Sequence, residues 1–239
     1  MPHTAAPSTG NVLLDRLSKT SRARLLEAGK TIPLTLGECI VEPDEVIEHV
    51  YFPMSGYVSL ITPRGSGESL EVGMVGYEGA FGLTVLLDVR TSPVTALIQG
   101  PGTALRVSSR TFLRHVRAAD EVRTMMNRYL YVLVAQVAQS AACNRFHGLQ
   151  SRLARWLLMS HDRARGNSFH LTHAFLAYML GTHRPGVTVA ARELRDANLI
   201  TYSRGGIRVI DRAGLEARSC ICYAQHVQTY NRILGRKAP

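Results

Sequence analysis

The chain has 239 residues, 46% of them hydrophobic, enough for one large core or two modest ones. No apolar run approaches the ~20 residues of a membrane helix, and the polar lead-in from Met1 to Asn11 lacks a basic-then-apolar targeting pattern, so a cytoplasmic protein with no membrane partner is expected. The +10 formal charge is segregated: up to Arg117 there are 11 basic and 11 acidic residues, whereas from Arg145 onward there are 15 and 5, so only the last part of the chain is suited to a polyanion.

Residues 12–29 space their leucines at helical intervals and predict a helix with Gly29 as C-cap. From Thr31 to about Val107 the pattern changes to short apolar runs divided by glycines, with a hairpin tip at Pro63–Gly67. That is the signature of a sandwich or a barrel-like roll. From Thr111 the helical period returns. Residues ~119–144 hold neither Gly nor Pro and predict one long helix with two apolar stripes. One runs through Val122, Met125, Tyr129, Val132 and Gln136, the other through Met126, Leu130, Leu133 and Val137. A helix buried on both sides suits a dimer seam on the first stripe and the roll on the second.

His147–Arg163 predicts an amphipathic helix closed by Gly166-Asn167. Its Leu149, Leu153, Trp156 and Leu157 face inward, and Arg152, Arg155, Arg163 and Arg165 outward. Then comes LTHAFLAYMLGTHRPGVTVAARELRDANLITYSRGGIRVI, residues 171–210. Thr172 is a good N-cap, Gly181 permits a tight turn, and a second helix runs from about His183 to Ala197. Leu176, Leu180, Val187, Ala190 and Leu194 form a small core between the two. This is helix-turn-helix spacing, whose second helix enters the major groove of double-stranded DNA. Two short strands around Ser203-Arg204-Gly205-Gly206 follow as a wing, with Arg204 placed for a phosphate. Asp211 caps a last helix through Leu234, expected to pack on the DNA-binding domain.

Taken in order, these parts resemble the Crp/Fnr family of bacterial transcription regulators. GECIVEPDEVIEHVYFPMSGYVSL (37–60) is similar to the opening of the family's cyclic-nucleotide-binding roll, EGAFGL (78–83) to its phosphate loop, and residues 171–200 to its DNA-reading motif. The resemblance implies an α+β fold in three parts: a β-roll sensor of the double-stranded β-helix type (12–118), a dimerisation helix (119–145) and a winged helix-turn-helix (146–239). It implies a homodimer on a palindromic operator, with RNA polymerase as a further partner. The DNA-contacting set is Thr172, His183, Arg184, Pro185, Thr188, Arg192 and Arg204. The seam is Val122, Met125, Tyr129, Val132 and Gln136.

Two departures matter. Members that bind cyclic AMP use a glutamate within the glycine loop and an arginine-serine or arginine-threonine pair after it; here those positions are Ala80 and about Ser92, with Arg90 offset by two. The candidate effector pocket of Gly79, Ala80, Phe81, Gly82, Arg90 and Ser92 therefore lacks a cationic partner for a buried phosphate, and control by cyclic AMP is not expected. An unidentified effector, or none, remains. In the reading helix the family's usual arginine, glutamate, arginine pattern becomes Arg184, Pro185 and Val189. Pro185 is tolerated in a first turn, and Arg184 can still donate two bonds to guanine, so an unusual operator is expected.

Neither paired CxxC motifs nor zinc-finger spacing connects Cys39, Cys143, Cys220 and Cys222. They are expected to be reduced, with Cys220 and Cys222 on different faces of a helix, and neither metal nor cofactor is expected. An iron–sulfur member would need cysteines before Cys39, and the haem-ligand candidates, His49, Met54 and His115, are read as ordinary residues. A nucleotide-binding module docking to another protein is the alternative that the charge segregation disfavours. No catalytic motif is present, so no enzyme is expected.

Overall fold

A computed structural model describes residues 8–64, 68–164, 166, 168–203 and 206–235. The first expected helix is two, α1 (Val12–Asp15) and α2 (Lys19–Ala28), each with its own cap. Asn11 accepts from the amides of Leu13 and Leu14, and Ser18 accepts from Ser21. The Asn11 amide also donates to the carbonyls of Pro53 and Gly79 at 2.8 Å, tying the N-terminus to the sensor. Gly29 is the C-cap of α2 as expected, with extended backbone. What requires glycine there is packing, since a Cβ would come within 2.6 Å of Leu105.

The sensor is a sheet of order β1-β5-β3-β4, with β2 also pairing β5. The strands are β1 (Lys30–Leu34), β2 (Cys39–Val41), β3 (His49–Arg64), β4 (Glu68–Val75) and β5 (Thr95–Ser108). Strands β3 and β5 run antiparallel from His49 opposite Ser108 to Ile61 opposite Thr95, and the register shifts three times between Pro53 and Val58. Such bulges bend a long pair, here around Gly56 at φ +73, and so curl the sheet into a roll. A 3-10 turn at Leu83–Leu87 and α3 (Ser109–Ala118) close it.

Helix α4 (Asp120–Phe146) matches the expected long helix, but its faces are assigned differently. Val122, Tyr129, Val132 and Gln136 are buried within the protomer together with Met126, and Met125 packs half-buried on the same core. The Gln136 carboxamide pairs with Met74 on β4, accepting from its amide at 2.7 Å and donating to its carbonyl at 3.2 Å. The stripe expected to meet a second copy is thus consumed by the roll of its own chain. The physical reason is that the core takes both stripes: Met126, Leu130 and Leu133 pack inward as well, and Gln136 satisfies the backbone of Met74. Four such buried apolar side chains contribute about 1.5–3 kcal/mol each to the docking of α4.

Helix α5 (Leu149–Ala164) leads to β6 (Ser168–His170), α6 (His173–Met179), α7 (Arg184–Asp196), β7 (Ile200–Ser203) and β8 (Gly206–Val209). The three strands form a sheet of order β6-β8-β7. Arg163 and Arg155, expected outward, are buried, and Arg152 is half-buried with its guanidinium on the Leu180 carbonyl. Arg163 forms a buried ion pair with Glu78 at 2.7 Å, which pulls it off the surface. Arg165 and Asn167 lie outside the described residues.

The last expected helix is also two, α8 (Arg212–Arg218), capped by Asp211, and α9 (Cys222–Leu234). Helix α9 does more than cover the DNA-binding half. It lies along α4, donates from Tyr230 Oη to the Glu78 carbonyl at 2.8 Å, and ends where Arg16 bonds the Gly235 carbonyl. Among the described residues no helix is long and apolar enough to cross a membrane.

Candidate nucleic-acid interface

The helix-turn-helix is built from local signals. Thr172 accepts from the Phe175 amide at 3.1 Å and starts α6. Gly181 sits at φ +57, a left-handed position that costs an L-residue roughly 1–2 kcal/mol, and it turns the chain toward α7. Pro185 occupies the first turn of α7, where a missing N–H leaves no bond unmade. Val187, Ala190, Ala191 and Leu194 face inward onto Leu176, Ala177 and Leu180.

The opposite face of α7 carries polar and charged groups around an exposed Val189. His183, Arg184, Pro185 and Arg192 are exposed. Thr188 is only half-buried, and its hydroxyl is already engaged, donating to the Arg184 carbonyl and meeting His173 Nδ1, both at 3.0 Å. It therefore serves α7 before any base. The wing hairpin forms from β7 and β8 as expected, but Arg204 lies outside the described residues. Arg208, which the sequence reading left aside, is exposed on β8 between the buried Ile207 and Val209.

Three further residues of this face escaped sequence reading. Tyr202 on β7 takes the His173 ring edge-on at 5.1 Å and the Arg195 guanidinium over its ring at 5.6 Å. Arg195 also pairs with Asp196 at 2.8 Å. Burial and the nearby Arg184 hold the His173 imidazole below its ordinary pKa. The trio fixes α6, α7 and the wing against one another. It joins residues on three elements, so no local spacing could have announced it.

The candidate effector residues are mostly buried in the roll. Ala80 and Phe81 are buried, and Phe81 packs with Leu60, Val75 and Ile98 in the roll's own core. Gly79 lies directly beneath the Tyr129 ring, leaving no room for a side chain. Glu78, at the start of the loop, accepts from Arg163 Nε at 2.8 Å. Ser92 is buried and donates to the Val94 carbonyl at 2.6 Å, while Arg90 is exposed. The cleft beside Tyr51 and Phe81, about 450 Å³, is lined by Asp44, Glu45 and Glu48.

An α+β chain with a nucleotide-type roll, a long connecting helix and a winged helix-turn-helix defines a class of two-domain DNA-binding transcription regulators. The sequence matches the cyclic nucleotide-binding domain over residues 32–118 and the Crp-like helix-turn-helix domain over 151–218. Solved structures share the fold. A protein ascribed to the Crp/Fnr family from Eubacterium rectale superposes with a TM-score of 0.69 at 18% identity, over 88% of this chain and 99% of its own. FixK2 from Bradyrhizobium japonicum gives 0.68 at 16%, over 80% and 98%. The c-di-GMP-responsive regulator CLP from Xanthomonas campestris gives 0.65 at 14%, over 80% and 99%. A search of curated proteins gives no significant match. The chain belongs to the Crp/Fnr family of transcription regulators.

Proposed function

We propose that the chain is a homodimeric, sequence-specific regulator without catalytic activity, which reads a palindromic operator with α7 and needs no cyclic AMP to do so. The observation that carries the reading is the exposed face of α7, where Arg184 and Arg192 stand clear of a buried apolar face, with Arg208 on the adjoining wing. Arg184 at the start of α7 suits bidentate donation to a guanine edge, and Arg208 and Arg192 suit phosphates.

Support for the dimer comes from the face of α4 that the roll leaves uncovered. Asn127, Tyr131, Val134, Ala138 and Ala141 are all exposed and follow one another in alternating steps of four and three, the spacing of a coiled-coil seam. Tyr131 and Val134 are 52% and 61% exposed, unusual for such side chains in the middle of a helix. Ala138 and Ala141 are small enough for two helices to approach closely. A two-fold axis along this seam would set the two α7 helices on half-sites about 34 Å apart.

Independence from cyclic AMP rests on the occupied positions of the loop: Phe81 in the core, Ser92 bonded within its own turn, Glu78 paired with Arg163. Fluorescence anisotropy on a selected duplex tests the reading. Log affinity should fall linearly and steeply with log salt, as phosphate contacts demand, and binding should be unchanged by cyclic AMP. A flat salt profile would remove the phosphate contacts from the account.

A further inference from the structure

Cys143, His147, Cys220 and Cys222 come from opposite ends of the C-terminal half, yet their three sulfurs and one imidazole nitrogen all lie within 4.8 Å of one another. Cys143 is on the last turn of α4, and His147 caps that helix four residues on. Cys220 lies in the α8–α9 connection and Cys222 opens α9. Contrary to the sequence expectation, the latter two do not diverge on a helix; the bend at Ser219–Ile221 turns both inward. The Cys143 and Cys220 sulfurs are 3.4 Å apart, and Cys222 Sγ is 3.4 Å from His147 Nδ1. A tetrahedral zinc, with Zn–S of about 2.3 Å and Zn–N of about 2.0–2.1 Å, sets its ligands about 3.7 Å apart for two sulfurs and about 3.5 Å for sulfur and nitrogen.

We infer that these four side chains form a closed Cys3His site for one tetrahedral divalent ion, zinc by the softness of its ligands. Thiolate and imidazole together select a borderline-soft metal over calcium or magnesium. All three cysteines are buried and His147 is half-buried, so four protein ligands would fill the shell and leave no open position, the arrangement of a structural site. A two-iron cluster would spread its ligands over two metal centres, wider than this single knot of atoms. A Cys143–Cys220 disulfide would leave the convergence of His147 and Cys222 without a cause.

The surroundings suit such an ion. Three thiolates around a dication carry a net charge of −1. Arg155 is buried beside the cluster and donates to Ser140 one turn before Cys143, at 3.2 Å, while its Nε meets no acceptor among the described residues. It supplies the compensating charge. Gln139 donates to Cys222 Sγ at 2.9 Å, the kind of outer contact that orients a thiolate ligand. The ion would fasten the α4–α5 junction, where the sensor half meets the DNA-binding half, to the α8–α9 bend.

The test uses the full chain, purified under reducing, oxygen-free conditions. About one zinc per chain is expected, and exchange with Co2+ should produce the intense visible bands and thiolate charge-transfer absorption of tetrahedral cobalt. Cys39→Ser, at an exposed cysteine outside the cluster, should keep both signals. Cys220→Ser and His147→Ala should lose the stoichiometric metal or alter the cobalt spectrum. The wild-type cobalt spectrum does not depend on how the variants fold. Metal far below one equivalent, with Co2+ giving only the weak spectrum of the hydrated ion, would overturn the site. So would a Cys143–Cys220 disulfide in the oxygen-free protein.

Discussion

Replacing Glu78 by Gln keeps the shape of the side chain and removes its charge. Glu78 and Arg163 are 1% exposed, and the carboxylate oxygen meets Arg163 Nε at 2.8 Å and Nη2 at 2.7 Å. The guanidinium's other bond, from Nη1 to the Met159 carbonyl at 2.9 Å, lies within its own helix and cannot neutralise it. Glu78→Gln therefore leaves a buried cation without its hydrogen-bonded counter-charge, since Asp162, which also acts on it, is itself paired with Arg212 at 2.7 Å. Breaking a buried pair in this way costs about 3–5 kcal/mol, a large part of the roughly 5–15 kcal/mol that holds a typical protein folded. Arg163→Met strands the carboxylate and should cost a similar amount. The double variant leaves neither charge, and should recover at least about 2 kcal/mol relative to the sum of the singles. Trp156 is the chain's one tryptophan and lies on α5 with Arg163, so its fluorescence in urea reports the relevant unfolding. With about 1–3 kcal/mol per molar urea, each single change should lower the midpoint by about 1 M or more. If the double variant were simply the sum of the two singles, the two groups would not be coupled as the 2.7 Å contact requires.

Val134→Glu on the exposed seam of α4 should give a folded monomer in sedimentation, whereas Val132→Glu, buried against the roll, should unfold the sensor; a dimer that survives Val134→Glu moves the seam elsewhere. Arg184→Ala should cost about 1–3 kcal/mol at the preferred operator and blur one base position, while Arg208→Ala should weaken all sequences alike and lessen the salt slope, both read by anisotropy. Burial pushes the Glu71 carboxyl up to about 8, so the folded chain keeps a proton that the unfolded chain releases above pH 4.5. Stability contributed by this proton is full below pH 4.5 and is lost as pH rises through 8. Glu71→Gln should remove that decline, which can reach about 1.4 kcal/mol per pH unit. The comparison belongs above pH 6.5, because burial holds His226 down to about 3 and its own loss of stability appears as pH falls below 6.5.

What was legible in the sequence was local. Gly181, Pro185 and the Thr172 cap each act within a turn, and so the helix-turn-helix and its bounds follow from spacing. The glycine rhythm of residues 31–107 and the Gly-free run after Ala119 likewise encode strands and a long helix directly. The seam face of α4 was not legible, because both apolar stripes, Val137 apart, pack within the protomer and the exposed line through Asn127, Tyr131 and Val134 lies on neither. The inward turn of Arg163 depends on Glu78, 85 residues away, and an arginine on an amphipathic helix reads as solvent-facing until its counter-charge is placed. The cysteine–histidine knot was hidden for the same reason: Cys143 and Cys220 are 77 residues apart, and neither Cys-x3-His nor Cys-x-Cys alone has the spacing of a familiar metal motif.

The central claim is that α7 reads a defined two-fold DNA site without a nucleotide signal. Selection from a pool of randomised duplexes, carried out with the wild-type chain and no added nucleotide, tests it directly. A palindrome with half-sites about one helical turn apart should be enriched, unchanged by added cyclic AMP and changed at one position of each half-site by Arg184→Ala. A pool that stays random without cyclic AMP and acquires a palindrome only in its presence would contradict it.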